Sequence, residues 1–210
     1  KPAYTVNQVC GSGIRSVASG FQSIKSGDTK IVIAGGQESM SLAPHSIHLR
    51  DGQKLGDTGL IDTMIKDGLW DAFHGYHMGI TAENVAEKFQ VTREEQDKFA
   101  LKSQEKAIKA QKENKFKNEI INFKIKSRKA EIDFIKDEHP REGINLEALK
   151  RLKPVFKKDG TVTAGNASQI TDGAVSLLIA DEDAVKQHGW NPLGRISTYA
   201  YAGLSLIHIS

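Results

Sequence analysis

The chain has 210 residues, which is enough for one large domain or for two small domains with a packed core. Hydrophobic residues make up 39% and charged residues 26% of it, and this balance excludes a chain that is disordered throughout. The net charge of +3 is too small for a general nucleic-acid-binding protein, and no apolar run approaches the roughly 20 residues that span a bilayer. A single cysteine cannot form an internal disulfide, so we expect a cytoplasmic protein.

That cysteine, Cys10, stands just before a predicted helix that begins near Ser12. Apolar residues recur with helical spacing after it, at Ile14, Val17, Ala18, Phe21 and Ile24. The N–H groups and the dipole at a helix N-terminus stabilise anions such as a thiolate. Gly11 and Gly13 also leave room for another molecule to approach the sulfur. The pattern favours a reactive thiol, with a buried structural cysteine as the alternative.

Strand and helix signals then alternate. Residues 29–36 ("TKIVIAGG") predict a buried strand, whereas residues 37–70 show little periodicity and predict a long ordered loop. A short helix is expected at 82–89. The sequence "TREE" at 92–95 has the form of a capping box and predicts a longer helix that ends near Asn114, with its lysines on a solvated face.

The second half of the chain continues the alternation. The segments 120–126 ("IINFKIK") and 130–137 ("AEIDFIKD") predict two half-exposed strands. A buried strand "GAVSLLIA" at 173–180 and a short helix at 181–189 follow, and "GRISTYAY" at 194–201 predicts a further strand. This order of elements indicates a layered α/β protein.

Two histidine pairs are candidates for chemistry: His45 with His48, and His74 with His77. Neither pair predicts a zinc site, because H-x-x-H alone lacks the glutamate and the third ligand of the usual helical motif. A histidine flanked by glycines could donate a hydrogen bond to a substrate carbonyl, or it could be structural. Arg141 follows a proline in a polar turn, where it could bind a phosphate or simply be exposed.

Four motifs together resemble the successive signatures of the thiolase family, in its biosynthetic branch. They are "NQVCGSG", "AGGQESMS", "DAFHGYHMGITAENVAE" and "GTVTAGNASQITDGAV", in an order that agrees up to about Gly203. The resemblance implies a thiolase-like layered α/β/α fold of two similar halves, each with a mixed five-stranded sheet, and a loop domain inserted into the first. We expect truncation at both ends. The expected parts are the later N-terminal half at 1–39, the loop domain at 40–170, a return to the first half at 171–193, and the start of the C-terminal half at 194–210.

The resemblance also implies roles for individual residues. Cys10 matches the catalytic nucleophile, and its backbone N–H matches one donor of an oxyanion hole. The residues that match the coenzyme A site are Leu69, His77 and Met78 along the pantetheine tunnel, Arg141 near the adenine nucleotide, and Phe156, Ala164, Ala167 and Ser168 in the rest of the wall. Ala148 departs from the pattern, since related biosynthetic enzymes often carry a serine there.

The implied reaction joins two acetyl-CoA molecules into acetoacetyl-CoA and CoA, or reverses this by thiolysis, through an acetyl-cysteine intermediate. No cofactor beyond these coenzyme A thioesters is expected, and the family implies a homotetramer. The alternatives are a degradative 3-ketoacyl-CoA thiolase and a noncatalytic module that binds coenzyme A or a partner. "HGYHMG" favours the short-chain enzyme. The family's second cysteine and its activating histidine have no match here, and His208 does not match that histidine.

Overall fold

The computed structural model describes residues 2–126 and 130–203. Among them, the α-helices are α1 (Ser12–Lys25), α2 (Met78–Phe89), α3 (Arg93–Lys112), α4 (Leu146–Lys150) and α5 (Glu182–His188). The strands are β1 (Ile31–Glu38), β2 (His45–Ser46), β3 (Ile61–Asp62), β4 (Trp70–Asp71), β5 (Tyr76–His77), β6 (Phe123–Lys126), β7 (Glu131–Phe134) and β8 (Gly173–Ala180). The chain forms two compact units, one up to Gly75 together with the residues from Ile170, and one at Tyr76–Gln169.

The first unit is built around α1 and an antiparallel pair of β1 and β8. The register runs from Ile31 opposite Ala180 to Glu38 opposite Gly173. A Cβ at Gly20 of α1 would lie 3.1 Å from the Val32 side chain, so the glycine lets the helix pack closely on the sheet. The helix beginning near Ser12 and the strand after it are confirmed.

The predicted burial of both strands is wrong. Ala34 is buried in β1, but no residue of β8 is. The helix α1 covers the face that carries Val32, whereas Ile33 on the other face is 75% exposed and its partner Leu178 is 56% exposed. The described sheet has only two strands and one covering helix, so an apolar run that would suit a sheet covered on both faces stays open to solvent here.

The predicted strand at 194–201 does not form; this stretch has no regular secondary structure. Its side chains contact α1 instead. The hydroxyl of Tyr199 accepts a hydrogen bond from Gln22 at 2.5 Å, and its ring lies 5.8 Å from that of Phe21. The guanidinium of Arg15 lies 4.3 Å from the ring centroid of Tyr201. No described strand pairs with this stretch, so its aromatic side chains rather than a hydrogen-bonded ladder attach it to the unit.

The predicted loop at 37–70 contains short pieces of regular structure. A 3-10 turn occupies Met40–Leu42, β2 pairs with β3 in antiparallel fashion, and a π-helical segment spans Met64–Leu69. The loop is also attached to the start of β8, since Ser41 donates hydrogen bonds from its N–H and its hydroxyl to the Asp172 carboxylate. The stretch is therefore irregular but held in place, as expected of an ordered loop.

The second unit contains α2, α3, α4 and the β6–β7 hairpin. Helix α2 begins at Met78, several residues earlier than predicted, and ends at Phe89; the C-cap residue Gln90 is left-handed, with φ of 56°. Helix α3 has the predicted capping box and ends at Lys112. The hairpin pairs Phe123 with Phe134, and neither strand has a buried residue, although Ile125 is 41% and Phe134 is 42% exposed. No helix of the described residues has the length and apolar character needed to cross a membrane.

Candidate active site

The thiol of Cys10 stands at the surface of the first unit, immediately before the cap of α1. Cys10 is exposed, which does not fit the alternative of a buried structural cysteine. A tight turn precedes it, in which the N–H of Gly11 donates to the Gln8 carbonyl at 3.0 Å and the Ser12 hydroxyl donates to the Val9 carbonyl at 2.6 Å. These bonds fix the backbone on both sides of the cysteine.

Val9 adopts a conformation that a β-branched residue rarely takes. Its φ is 50°, in the left-handed region, where an L-residue costs about 1–2 kcal/mol. The side-chain oxygen of Asn7 accepts a hydrogen bond from the Val9 N–H at 2.9 Å, which helps to hold this turn. Backbone strain of this kind collects at functional sites, where the surrounding structure over-determines the local conformation. The turn therefore supports a chemical role for the residue that follows it.

A second cluster lies in the other unit, at the start of α2. His77 is the N-cap of this helix, and its Nδ1 accepts a hydrogen bond from the Gly79 N–H at 2.9 Å. The imidazole stacks on the ring of Phe156, with centroids 4.8 Å apart and planes 19° apart. Burial lowers the pKa of His77. Met78 is the first helical residue and is half-buried.

The chain at 160–168 is tied to α2 by a buried carboxylate. Glu83 is 3% exposed and accepts hydrogen bonds from the N–H of Thr161 at 2.8 Å, from the Thr161 hydroxyl at 3.0 Å and from the N–H of Val162 at 2.8 Å. Burial by itself would raise the pKa of Glu83, but the hydrogen bonds from Val162 and Thr161 outweigh it and the pKa is lowered. Glu83 is therefore a buried anion with satisfied oxygens.

A second buried carboxylate holds the same segment from α3. Asp97 is 1% exposed; one of its oxygens accepts from the Asn166 amide at 3.0 Å and the other from Arg93 Nε at 2.8 Å. Asn166 in turn accepts a hydrogen bond from the Thr163 N–H at 2.7 Å. These contacts fix the shape of the turn that carries three of the predicted site residues, the exposed Ala164 and Ser168 and the half-buried Ala167.

The remaining predicted residues are spread over both units. Leu69 ends the π-helical segment of the first unit and is half-buried. Arg141 belongs to the second unit, where its backbone N–H donates to Gln104 Oε1 at 2.9 Å and its side chain is exposed. Ala148, the departure from the family pattern, lies in α4. The structure thus brings His77 and Phe156 into direct contact. It places Ala164, Ala167 and Ser168 on one turn, which is held by the hydrogen bonds of Asn166.

The other histidine candidate, His74, forms a close pair in the first unit. Its Nδ1 lies 2.7 Å from Oδ2 of Asp71, a carboxylate that is 4% exposed. Burial would raise the pKa of Asp71, but its hydrogen bonds with His74 and Phe73 prevail and the pKa is lowered. Over residues 2–126 and 130–203, no group of three or more His, Cys, Asp or Glu side chains could hold a metal ion.

Sequence reasoning missed the residues that support these candidates. Gly79, Glu83 and Ala86 are all buried on α2, at the i, i+4, i+7 spacing of one helix face. A glutamate on the buried face of a predicted helix is a signal of a satisfied internal carboxylate, and it could have identified Glu83. Its partners could not have been found in this way, because Thr161 is 78 residues further along the chain.

Comparison with known proteins gives the family. Residues 1–183 match the family model described as "Thiolase, N-terminal domain". Acetyl-CoA acetyltransferase of Rhizobium meliloti is 56% identical over 204 residues, which is 97% of this chain and 52% of that protein. The chain therefore spans about half the length of the curated relatives it matches.

Solved structures agree on the fold. The crystal structure of the Bacillus anthracis acetyl-CoA acetyltransferase matches 97% of this chain and 52% of its own, with a TM-score of 0.88 and 43% identity. Human mitochondrial 3-ketoacyl-CoA thiolase matches 91% of this chain and 49% of its own, with a TM-score of 0.84 and 45% identity. The predicted α/β class and the resemblance are confirmed: this chain belongs to the thiolase family and carries that family's N-terminal domain.

Proposed function

We propose that this chain is part of an acyltransferase that condenses two acetyl-CoA molecules into acetoacetyl-CoA and CoA, and that catalyses the reverse thiolysis. The observation that carries the proposal is the exposed thiol of Cys10, held by a strained turn directly before α1 in a thiolase N-terminal domain. The name of the Rhizobium meliloti relative, acetyl-CoA acetyltransferase, supports acetyl-CoA as the substrate.

In the first half-reaction, the Cys10 thiolate attacks the carbonyl carbon of acetyl-CoA. A new carbon–sulfur bond forms to Cys10, the bond to the coenzyme A sulfur breaks, and CoA leaves as a thiolate that takes up a proton. The negative charge on the carbonyl oxygen is stabilised by backbone N–H donors, one of them from Cys10 itself. In the second half-reaction, a base takes a proton from the methyl group of another acetyl-CoA, and the resulting carbanion attacks the carbonyl carbon of the acetyl-cysteine. A carbon–carbon bond forms, the carbon–sulfur bond to Cys10 breaks, and Cys10 leaves as a thiolate.

We also propose the coenzyme A contacts expected from the family. They are Leu69, His77, Met78, Arg141, Phe156, Ala164, Ala167 and Ser168. The stacked pair of His77 and Phe156 and the anchored turn at 164–168 support this assignment, since a ligand wall needs side chains that hold their positions. No cofactor besides the coenzyme A thioesters is proposed. The proposed whole protein is a cytoplasmic homotetramer, in which residues 40–170 form the loop domain and 194–210 begin the C-terminal half.

The test is the covalent intermediate. The full-length protein is mixed with acetyl-CoA, quenched in acid and digested, and the peptide that contains Cys10 is examined by mass spectrometry. We expect one acetyl group on Cys10, and none on that peptide in a Cys10→Ser variant. An active wild-type protein that acquires the acetyl group elsewhere, or not at all, would refute the role of Cys10.

A degradative 3-ketoacyl-CoA thiolase is the second candidate, favoured by the 45% identity to the human mitochondrial enzyme of that name. The two candidates differ in the acyl chain they accept. Thiolysis rates should be compared for acetoacetyl-CoA and for 3-ketoacyl-CoA substrates of increasing length. Preference for the four-carbon substrate supports the acetyltransferase, whereas preference for longer chains supports the second candidate. Binding of CoA without turnover would support the noncatalytic alternative.

A further inference from the structure

The hydrogen bond between Gly79 and His77 fixes where the imidazole carries its proton. A backbone N–H can only donate, so Nδ1 of His77 must offer a lone pair to it at the observed 2.9 Å. A neutral imidazole with an unprotonated Nδ1 carries its hydrogen on Nε2. Protonation of both nitrogens would place an N–H against the Gly79 N–H and would break the cap of α2.

Phe156 fixes the plane of the same imidazole. Its ring lies 4.8 Å from the imidazole centroid and is tilted by 19°, so the two rings stack nearly in parallel. This stacking depends on Gly79, because a Cβ at that position would overlap the Phe156 ring. Gly79 therefore supplies both the N–H that selects the tautomer and the space that admits the stacking ring.

We propose that Gly79 and Phe156 are positioning residues that hold His77 as its Nε2–H tautomer, so that His77 acts as a hydrogen-bond donor to a carbonyl oxygen of the bound coenzyme A thioester. The tautomer follows from the protein's own contacts, whereas the identity of the acceptor rests on the proposed function. Burial lowers the pKa of His77, which also favours the neutral ring that this arrangement needs.

The tautomer is measured first, without ligand. The full-length protein is labelled with ¹⁵N-histidine, and the His77 resonances are assigned from their loss in a His77→Gln variant. We expect an unprotonated Nδ1 and a protonated Nε2. The resonances of a protonated Nδ1, or an average of the two tautomers, would overturn the proposal while leaving the proposed acyl transfer intact.

Steady-state thiolysis then tests the donor role. In His77→Asn the amide oxygen can replace Nδ1 as the cap acceptor, but the Nε2–H donor is lost; in His77→Gln the donor is retained and the cap is lost. We expect His77→Asn to raise KM for the coenzyme A thioester about tenfold with kcat within about twofold, at nearly unchanged Tm. We expect His77→Gln to lower Tm with a smaller change in KM. A larger increase in KM for His77→Gln than for His77→Asn would overturn the donor role.

The positioning residues are tested in the same two assays. Gly79→Ala and Phe156→Ala should mix the tautomers in the ¹⁵N spectrum, and Gly79→Ala should raise KM about tenfold, whereas Phe156→Tyr, which keeps a stacking ring, should retain the single Nε2–H tautomer. Phe89→Ala, at a 60% exposed ring at the end of α2, is the matched control and should change neither. An unchanged spectrum and KM in Gly79→Ala would refute the proposal. Absence of acyl transfer by the wild type, with the expected tautomer present, would refute the proposed function alone.

Discussion

At the scale of single residues, the turn that leads into Cys10 contains a left-handed backbone at Val9. Asparagine tolerates φ near +50° far better than valine, and the Val9 side chain is 63% exposed and has little packing to lose. We therefore expect Val9→Asn to raise the free energy of unfolding by about 1 kcal/mol. Urea unfolding of the full-length protein measures this. Val9→Ile, which keeps the β-branch, is the control; equal stabilisation by both variants would contradict the explanation.

Glu83 gives a second prediction at this scale. In Glu83→Gln the amide NH₂ would face N–H donors of Thr161 and Val162, so we expect a loss of about 2–3 kcal/mol in the free energy of unfolding at pH 7. Glu87→Gln, an exposed glutamate on the same helix, should cost far less. A loss no larger than that of Glu87→Gln would show that the buried contacts contribute little.

The stability difference between wild type and Glu83→Gln should depend on pH, because folding lowers the pKa of Glu83. The pKa of Glu83 is lower in the folded protein than its ordinary value of 4.5, so the folded state binds its proton less tightly than the unfolded state. The stabilisation by Glu83 is then complete above pH 4.5 and is lost as the pH falls through the folded-state pKa. The gap in stability between wild type and Glu83→Gln should narrow over that acidic range, in urea titrations at several pH values.

At the scale of elements, the start of α3 is set by the capping box. The N–H of Thr92 donates to Glu95 Oε2 at 2.8 Å, and the N–H of Glu95 donates back to the Thr92 hydroxyl at 3.3 Å. Thr92→Ala should lower the free energy of unfolding by about 1 kcal/mol, through loss of this cap. Ser103→Ala, at an exposed position inside α3, should be neutral or slightly stabilising. Differential scanning calorimetry measures the Tm of both variants. Similar Tm values for Thr92→Ala and Ser103→Ala would contradict a stabilising role of the cap.

Elements with local signals could be predicted from the sequence, and those set by distant partners could not. The capping box at Thr92 and the helical stop at Gly189, with φ of 63°, depend on neighbours within a few residues. The burial of β8 and the state of 194–201 depend on what lies beside them in space. The sequence of a strand shows which of its faces are apolar. It does not show which helices or strands pack against those faces.

The same distinction applies to the candidate site. Cys10 could be identified because the glycines and the helix beside it lie within a few residues. The stacking of His77 on Phe156 joins residues far apart in sequence, so the family resemblance, rather than periodicity, selected both. Nothing in the sequence identified Gly79 as the residue that permits this stacking, because the requirement arises only when the Phe156 ring lies against α2.

At the scale of the whole molecule, the 210 residues contain one cysteine, so they supply the proposed acyl-carrying thiol but no second thiol. Proton transfer in the condensation needs a base within reach of the substrate. We expect this chain alone to show no detectable cleavage of acetoacetyl-CoA by CoA. The same chain continued through the C-terminal half expected for the family should be active. Comparable activity of the two proteins would mean that all catalytic groups lie within these residues.

Two buried carboxylates, Glu83 and Asp97, hold residues 160–168 in place. The groups that anchor this segment are therefore different from the side chains proposed to contact the ligand. Glu83 accepts hydrogen bonds from two backbone N–H groups and one hydroxyl, and Asp97 acts through Asn166, so these bonds do not involve the side chains of Ala164, Ala167 and Ser168. Natural variation or directed evolution could therefore enlarge Ala164 or Ala167 and reshape the proposed coenzyme A wall without loosening the scaffold. A specificity library confined to these positions should retain an unusually high fraction of folded members.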